Sequence, residues 1–505
     1  MIQANFEETS LCKRQGGIVG ETEIQCNLPL SESEVAKLLG ISPKVTLSGA
    51  EIIDGQVSYG GKAIFCVMFV DSEGKVKKAE CGAEFEQRLI VNADSENGVP
   101  TVKLSLEKVR AESVNGILSV KAKVIANIEI ICEKKLRYAV GGEDLFLKKQ
   151  EKTVSKKSCS KKAIYPFEEE FEIGYAIEEV LLHKTEASLT AITSGVGVVT
   201  VDGEAYLSVC LLQKIEKSDI LKETRSFPFR FEIEAEESMP SSTCTALAVV
   251  KSAKLDIVVD EETGKSVVKL SAQIELSVDC YEDRNGEVLV DAYSSTHEVT
   301  LQKECETFCR PDDYHNAKTE IKLRAGFNES LAGGSRLMCV AVEKIETTLI
   351  KAQDGVLHVE GVLEAIAFIK DGEETVLSKK LEAPFETVFA VETGCEYTAT
   401  LRAESVKGKL LSLSEVELTA TVVLSLQNYK KETIDFICAL EVGKEKKVKT
   451  QAMSVYIPLA GEELWDVAKR LNSGPEVIME VNSDLTFPLT GEERLLIYRQ
   501  EKKNY

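Results

Sequence analysis

Arg402-Ala403-Glu404-Ser405-Val406-Lys407-Gly408 occurs almost unchanged earlier in the chain, as Arg110-Ala111-Glu112-Ser113-Val114-Asn115-Gly116, with six of seven positions identical. Behind each copy, apolar residues fall on every second position. They are Leu118, Val120, Ala122 and Val124 in one, and Val416, Leu418, Ala420, Val422, Leu424 and Leu426 in the other. That alternation is the period of a half-buried β-strand, because successive side chains leave opposite faces of the pleat. A heptapeptide this specific, followed both times by the same kind of strand, argues for duplication.

Other markers extend the duplication to three copies. Gly61, Gly203 and Gly361 each precede a long apolar strand, and a phenylalanine comes later at Phe85, Phe229 and Phe385, spacings of 24, 26 and 24 residues. Alternating strands come next, with Val268, Leu270, Ala272, Ile274, Leu276 and Val278 in the second copy, which lacks the heptapeptide. The expected fold is mainly β: three tandem β-rich, antiparallel, sandwich-like domains at 1–140, 163–290 (diverged) and 291–430. Units of that size hold their own cores and are not solenoid repeats. Lysine-rich linkers are expected at 141–162 and 431–452, and a different unit at 453–500. The linker lysines would also suit an acidic partner, but a solvated connector is the simpler reading. Near the start, Ser31 and Glu34 have capping-box spacing before Val35, Leu38 and Leu39, which predicts a short helix.

Composition narrows the function. The chain has 505 residues, 44% of them hydrophobic, and a formal net charge of −22. Such an acidic protein repels phosphate backbones, which argues against nucleic acid as a partner. The first residues lack the basic start and apolar run of a signal peptide. No apolar run reaches the ~18–20 residues that cross a bilayer, so no transmembrane segment is expected. The 14 cysteines are scattered, and Cys66, Cys210 and Cys339 sit inside apolar strands, so reduced thiols in a cytoplasmic protein are expected.

Catalytic chemistry has little to build on. The four histidines (His183, His297, His315, His358) show no metalloprotease spacing. Gly264-Lys265-Ser266 resembles the end of a phosphate loop, but Val259 stands where its first glycine belongs. Gly195-Val196-Gly197 starts like a dinucleotide loop, yet Thr200 replaces the third glycine. Cys305 and Cys309, with His297 and His315, hint at zinc but are irregularly spaced. A hydrolase hidden in the β units would need a nucleophile or carboxylate pair that the sequence does not offer. The expectation is no enzyme, no metal and no cofactor.

The tail is more specific. Val455 and Ile457 suggest a strand, Leu464, Trp465, Ala468 and Leu471 share one helical face, Pro475 suits the start of a second helix, and Leu495-Leu496-Ile497 a last strand. Gly461-Glu462-Glu463-Leu464-Trp465-Asp466-Val467-Ala468, with Ile478, Glu480, Asn482, Leu485, Pro488-Leu489 and Gly491, closely resembles a LysM module, a small βααβ domain. That resemblance implies a shallow groove for N-acetylglucosamine glycans between two loops, here Gly461, Glu462, Glu463 and Leu464, and Asn482, Ser483, Asp484 and Leu485. Glu462-Glu463 replaces the usual Asp-Thr pair, adding charge and removing a hydroxyl, which shifts the reading towards protein docking. Trp465 is read as core, because it shares a face with Ala468 and Leu471.

A glycine, a long apolar strand, a Phe-centred element such as Ala383-Pro384-Phe385-Glu386 and an alternating strand resemble the SPOCS domain of endospore-forming Firmicutes. Tandem SPOCS domains ending in LysM resemble the SipL-like spore morphogenesis family. The resemblance implies a non-enzymatic scaffold in coat and cortex assembly, in the mother-cell cytoplasm at the forespore surface, whose tail docks a coat morphogenetic ATPase. The alternative is a peptidoglycan-binding protein of the wall or cortex.

Overall fold

The computed structural model describes residues 4–91, 98–215, 219–260, 262–446 and 453–498. The protein is mainly β, with antiparallel sheets throughout and two short helices. Its strands are β1 (Ala4–Ser31), β2 (Val35–Ile53), β3 (Gln56–Asp71), β4 (Val76–Ile90), β5 (Val99–Val114) and β6 (Ile117–Gly142). Next come β7 (Phe146–Ile173), β8 (Ile177–Ser194), β9 (Val198–Gln213), β10 (Ile220–Glu234), β11 (Thr243–Asp260) and β12 (Lys265–Tyr293). The third set is β13 (His297–Gly326), β14 (Arg336–Gln353), β15 (Val356–Lys370), β16 (Val376–Ala390), β17 (Cys395–Leu410) and β18 (Glu415–Glu445). The tail is β19 (Met453–Tyr456), α1 (Leu464–Leu471), α2 (Pro475–Val481) and β20 (Leu495–Tyr498).

One strand order recurs. β2-β3-β4, β8-β9-β10 and β14-β15-β16 are meanders, and each packs on a second sheet, ordered β1-β6-β5, β11-β12-β7 and β13-β18-β17. The alternating strands β6, β12 and β18 are central in those sheets and turn one side into the core: Val416, Leu418, Ala420, Val422, Leu424 and Leu426 are all fully buried. Tight hairpins carry residues suited to positive φ: Asp54-Gly55, Asn115-Gly116 and Asp354-Gly355 each have both residues in the left-handed region. Gly195-Val196-Gly197 likewise connects β8 to β9, and Gly264 leads directly into β12.

The glycine-to-phenylalanine spacing has a physical cause. Gly61 pairs directly with Phe85, Gly203 with Phe229 and Gly361 with Phe385 across neighbouring strands. The ring lies over the bare backbone, where a Cβ on the glycine would fall 2.8, 2.3 or 2.6 Å from the phenylalanine Cζ. On the other side, each glycine pairs with the residue before a bulge, at Leu47/Gly49, Leu189/Ala191 and Thr347/Leu349. An aromatic covering a cross-strand glycine next to a bulge is how a sheet bends without a void.

Three expectations are corrected. Residues 146–162 are not a linker but the first half of β7, paired with β12. Their lysines read as a linker's because the sequence hides their acidic cross-strand partners: Lys149 meets Glu287 at 2.6 Å, Lys157 meets Asp279 at 2.7 Å and Lys162 meets Glu275 at 3.0 Å. Likewise, residues 431–445 continue β18, with Lys431 on Glu396 at 3.2 Å; of that expected linker, 447–452 lies outside the described residues. The predicted helix after Ser31 is one 3-10 turn, Glu32–Glu34. The reciprocal contact does form, with Ser31 N and Oγ donating to Glu34 Oε2 at 2.7 and 2.9 Å. From Val35 the chain joins β3 instead, because the meander buries more apolar surface than one helical turn. Cysteine is the third case: Cys26 and Cys81 form a disulfide between the two sheets of the first unit, Cα atoms 5.9 Å apart. Only folding brings residues 55 apart into facing positions.

The long strands overrun their sandwiches. Beyond Ile131, Tyr281 and Lys430, the third strand of each sheet stops, and the pairs β1/β6, β7/β12 and β13/β18 continue as two-stranded ribbons. The ribbons meet around Leu136, Val288, Phe308, Ile434 and Phe436, and further out around Ala139, Leu289, Ala292 and Ile437. At the opposite end the three meanders share a cluster containing Met68, Val70, Leu181, Leu212, Ile366 and Phe368. Each unit thus touches the other two at both ends.

Candidate functional site

The tail sits on the ribbon tip of the second unit. Val467, Ala468, Ile478, Leu489, Leu495 and Ile497 close its core together with Tyr293 and Phe146. Trp465 meets Tyr293 edge to face at 5.0 Å, and its indole Nε1 donates to Asp291 Oδ2 at 2.8 Å. Lys469 Nζ adds contacts of 2.7 and 2.8 Å to the same carboxylate, and Tyr293 OH donates to Ser473 O at 2.6 Å. Burial opposes ionisation of Asp291, but the Lys469 and Trp465 hydrogen bonds outweigh it and hold the carboxyl below its usual range. Trp465 is therefore a packing residue, as its helical face suggests, and its polar edge anchors the tail to β12.

The eight loop residues singled out in the sequence are not equivalent. Gly461 has a φ of 86°, a turn conformation that favours glycine. Glu462 is buried at 8% exposure. Its carboxylate accepts from Tyr456 OH at 2.9 Å, Leu459 N at 2.9 Å and Arg470 Nη1 at 2.5 Å. Glu463 is exposed and caps α1 through its backbone carbonyl, with no side-chain cap. Leu464 packs partly into the tail core, as does Leu485.

Asn482 is fully engaged. Its Nδ2 donates to Ile478 O and Leu496 O, both at 2.7 Å, and its Oδ1 accepts from Leu496 N at 2.8 Å. It ties the end of α2 to β20. Ser483 and Asp484 are exposed, and the Ser483 hydroxyl reaches Asp484 Oδ1 at 3.4 Å. The two loops therefore offer Glu463, Ser483 and Asp484 as solvent-facing polar groups, while Glu462 and Asn482 hold the tail together. The Glu462 role is missed in the sequence; the facing Tyr456 and Arg470 are its only signals.

What the tail does offer is apolar. Val455 pairs with Leu496 on the outer face of the two-stranded sheet, and they are 60% and 42% exposed. Met453, Ile457 and Leu459 continue that surface at 62%, 68% and 65% exposure. Neighbouring α2 leaves Val477 and Val481 exposed too. Scattered surface apolar residues are ordinary; Met453, Val455 and Ile457 recur at every second position, with Leu496 opposite Val455, and an exposed apolar row of this kind marks an interaction surface.

The zinc hint does not assemble. His297, Cys305, Cys309 and His315 are strung along β13, where four residues already span roughly 13 Å. Asp312, Glu392 and Cys395 do converge, but Lys430 Nζ already occupies Asp312 at 2.8 Å. Among the described residues, no helix is long and apolar enough to cross a membrane. No protein-family model, curated protein or solved structure matches the chain.

Proposed function

We propose that this protein is a non-enzymatic scaffold in endospore envelope assembly, built from three SPOCS-like units and docking through its LysM-like tail to a coat morphogenetic ATPase at the forespore surface. The recurring strand order, the shared bulge and the repeated Gly–Phe pair support duplication of one unit. The strand–helix–helix–strand tail supports the LysM likeness. The observation that carries the docking reading is the exposed apolar face of Val455, Ile457, Leu459 and Leu496 beside loops whose best hydrogen-bonding groups, Glu462 and Asn482, are spent internally. A glycan needs free donors, free acceptors and an exposed aromatic platform, whereas a protein partner needs an apolar centre with a polar rim.

The test is direct titration of the purified chain with a purified coat morphogenetic ATPase, beside sedimentation with peptidoglycan. Leu496→Asp and Val455→Asp lie on the exposed face, and each should weaken ATPase binding at least tenfold, the effect of losing about 1.4 kcal/mol. Undiminished ATPase affinity, or sedimentation with peptidoglycan lost on changing Ser483 and Asp484, would overturn the docking reading in favour of glycan.

A further inference from the structure

Cys244, Cys280 and Cys159 stand in one row across three adjacent strands of the second unit. Cys280 on β12 is directly opposite Cys244 on β11 and directly opposite Cys159 on β7. Direct cross-strand partners share a face and hold their Cβ atoms about 4.5–5.5 Å apart; a disulfide needs about 3.5–4.5 Å, so closing one draws the strands slightly together. The Cys244 and Cys280 sulfurs are 3.1 Å apart, and Cys159 shares a hydrogen bond with Cys280 from the other side. The central thiol is fully buried, while its neighbours are partly accessible. Among the described residues, neither other unit places three cysteines in such a row: Cys395 faces Lys430, which faces Arg310.

One route of access is a cleft at Cys244. Cys244 opens into a small cleft between the second and third units, lined also by Ile192, Ser194, Ser242, Asp312 and Asp313. With Asp312 already paired to Lys430, Asp313 disfavours anionic reagents such as oxidised glutathione, and the cleft leaves a polar path for a small neutral oxidant. The hydrogen bond to Cys280 holds the Cys244 thiol below its ordinary range, whereas burial pushes Cys159 up to about 11. Cys244 is the member of the row that lines the cleft, where its thiolate, the reactive form, meets solvent.

We propose that this row is a peroxide-reactive thiol site, with Cys244 the oxidised nucleophile, Cys280 the resolving thiol and Cys159 an exchange partner. The Cys244 thiolate attacks hydrogen peroxide, breaking its O–O bond; the product is a sulfenic acid and, after protonation of the leaving hydroxide, water. Cys280 then attacks the sulfenic sulfur, forming the Cys244–Cys280 disulfide and releasing a second water. Two electrons pass from the thiols to the peroxide. The Cys159 thiolate can next attack Cys280 Sγ, forming Cys159–Cys280 and returning Cys244 as thiolate. Because β11 begins at Thr243, the bond pins the strand end where sandwich gives way to ribbon.

The experiment treats the full-length protein with hydrogen peroxide, alkylates at intervals and maps linked peptides by mass spectrometry, with dimedone as the sulfenate probe. The Cys244–Cys280 link should appear first and pass to Cys159–Cys280. In Cys280→Ser, dimedone should label Cys244; in Cys159→Ser, the first link should persist without exchange. Oxidised glutathione should react far more slowly than peroxide. Absence of any link within the row while other thiols oxidise, or dimedone labelling that ignores Cys244 in Cys280→Ser, would overturn the proposal.

Discussion

Two glycines in one strand pair separate the cost of a methyl group from the cost of a clash. In Gly61→Ala, the new Cβ would lie 2.4 Å from Thr46 O and 2.8 Å from Phe85 Cζ. The ring can rotate, but the carbonyl belongs to the bulged strand, so relief requires β2 and β3 to separate. Overpacking a filled site costs about 1–3 kcal/mol, and two contacts this short, one to backbone, place it near the upper value. Removing a strand glycine returns roughly 0.5–1 kcal/mol. The net expectation is destabilisation by about 2 kcal/mol. Gly49 stands just past the same bulge, and a Cβ there meets nothing within 4 Å. Gly49→Ala should therefore be neutral or stabilise by about 0.5 kcal/mol.

Three units in one chain make a single global unfolding energy ill defined, so the assay must be local. Native-state hydrogen exchange on β3 and β4 reads it, with β15 and β16 of the same molecule as reference. About 2 kcal/mol corresponds to roughly thirtyfold faster opening. Adding Phe85→Leu to Gly61→Ala should restore only part of that, because the Thr46 carbonyl remains. If the two glycine variants agree within about twofold, or Phe85→Leu restores everything, the bulge carbonyl is not the constraint on this position.

Asp291→Asn should release the tail from β12; Trp465 is the chain's single tryptophan, so a red shift of its emission reports undocking. Because the folded Asp291 carboxyl is held low, its contribution is present above the usual aspartate range near about pH 3.9 and lost as pH falls through its lower folded value, so acid should produce the same shift in the native protein. Asn482→Ala removes two hydrogen bonds to Leu496 of β20 and one to Ile478 of α2 and should cost about 2–3 kcal/mol, seen as lost exchange protection over 478–497 without change in β1 to β18. Glu343, the extra residue of a bulge in β14, has its carboxyl pushed up to about 7 by burial, with Lys380 opposing and Glu364 reinforcing. The folded chain therefore holds a proton that the unfolded chain releases between about pH 4.5 and 7, and β14 should lose protection as pH rises through that window. Glu343→Gln should flatten the dependence.

The antiparallel β character is legible because alternation encodes one buried face. Val416 to Leu426 can be placed inward from sequence alone, and the run Ala63 to Val70 lies in the central strand of a meander. The features that sequence reading misses depend on partners distant in the chain. Lys149 and Lys162 look unpaired until Glu287 and Glu275 arrive from β12. Ser31 and Glu34 make their local contact, yet the strand pairing of Val35 with Asp71 decides the conformation from Val35 onward. Asp54-Gly55 and Asp354-Gly355 are readable as two-residue hairpins, and with them the start of two central strands. In the tail, the order of elements is legible from helix faces and Pro475. The inward use of Glu462 is not, because a carboxylate on a loop gives no sign that Tyr456, Arg470 and a backbone amide will surround it.

The duplicated heptapeptide shows why shared letters do not make a shared site. In the first copy, Asn115-Gly116 is itself the hairpin turn, and Val114 pairs with Ile117 across it. In the third, Gly408 lies within β17 opposite Leu418, and the chain turns later, after Leu410. There the glycine is required by packing: a Cβ would stand 2.6 Å from Val340 Cγ2 and 2.8 Å from Leu337 Cδ2 of the facing sheet. The arginines diverge as well. Arg110 is 68% exposed and pairs with Glu112 at 2.7 Å, worth at most about 1 kcal/mol at a surface. Arg402 is 9% exposed, with its guanidinium 5.0 Å from the ring centre of Tyr206 in the second unit. A recurring active site would need the same side chain in the same surroundings. Here one copy faces solvent and the other seals a junction against Tyr206, so the two arginines share letters and no surroundings.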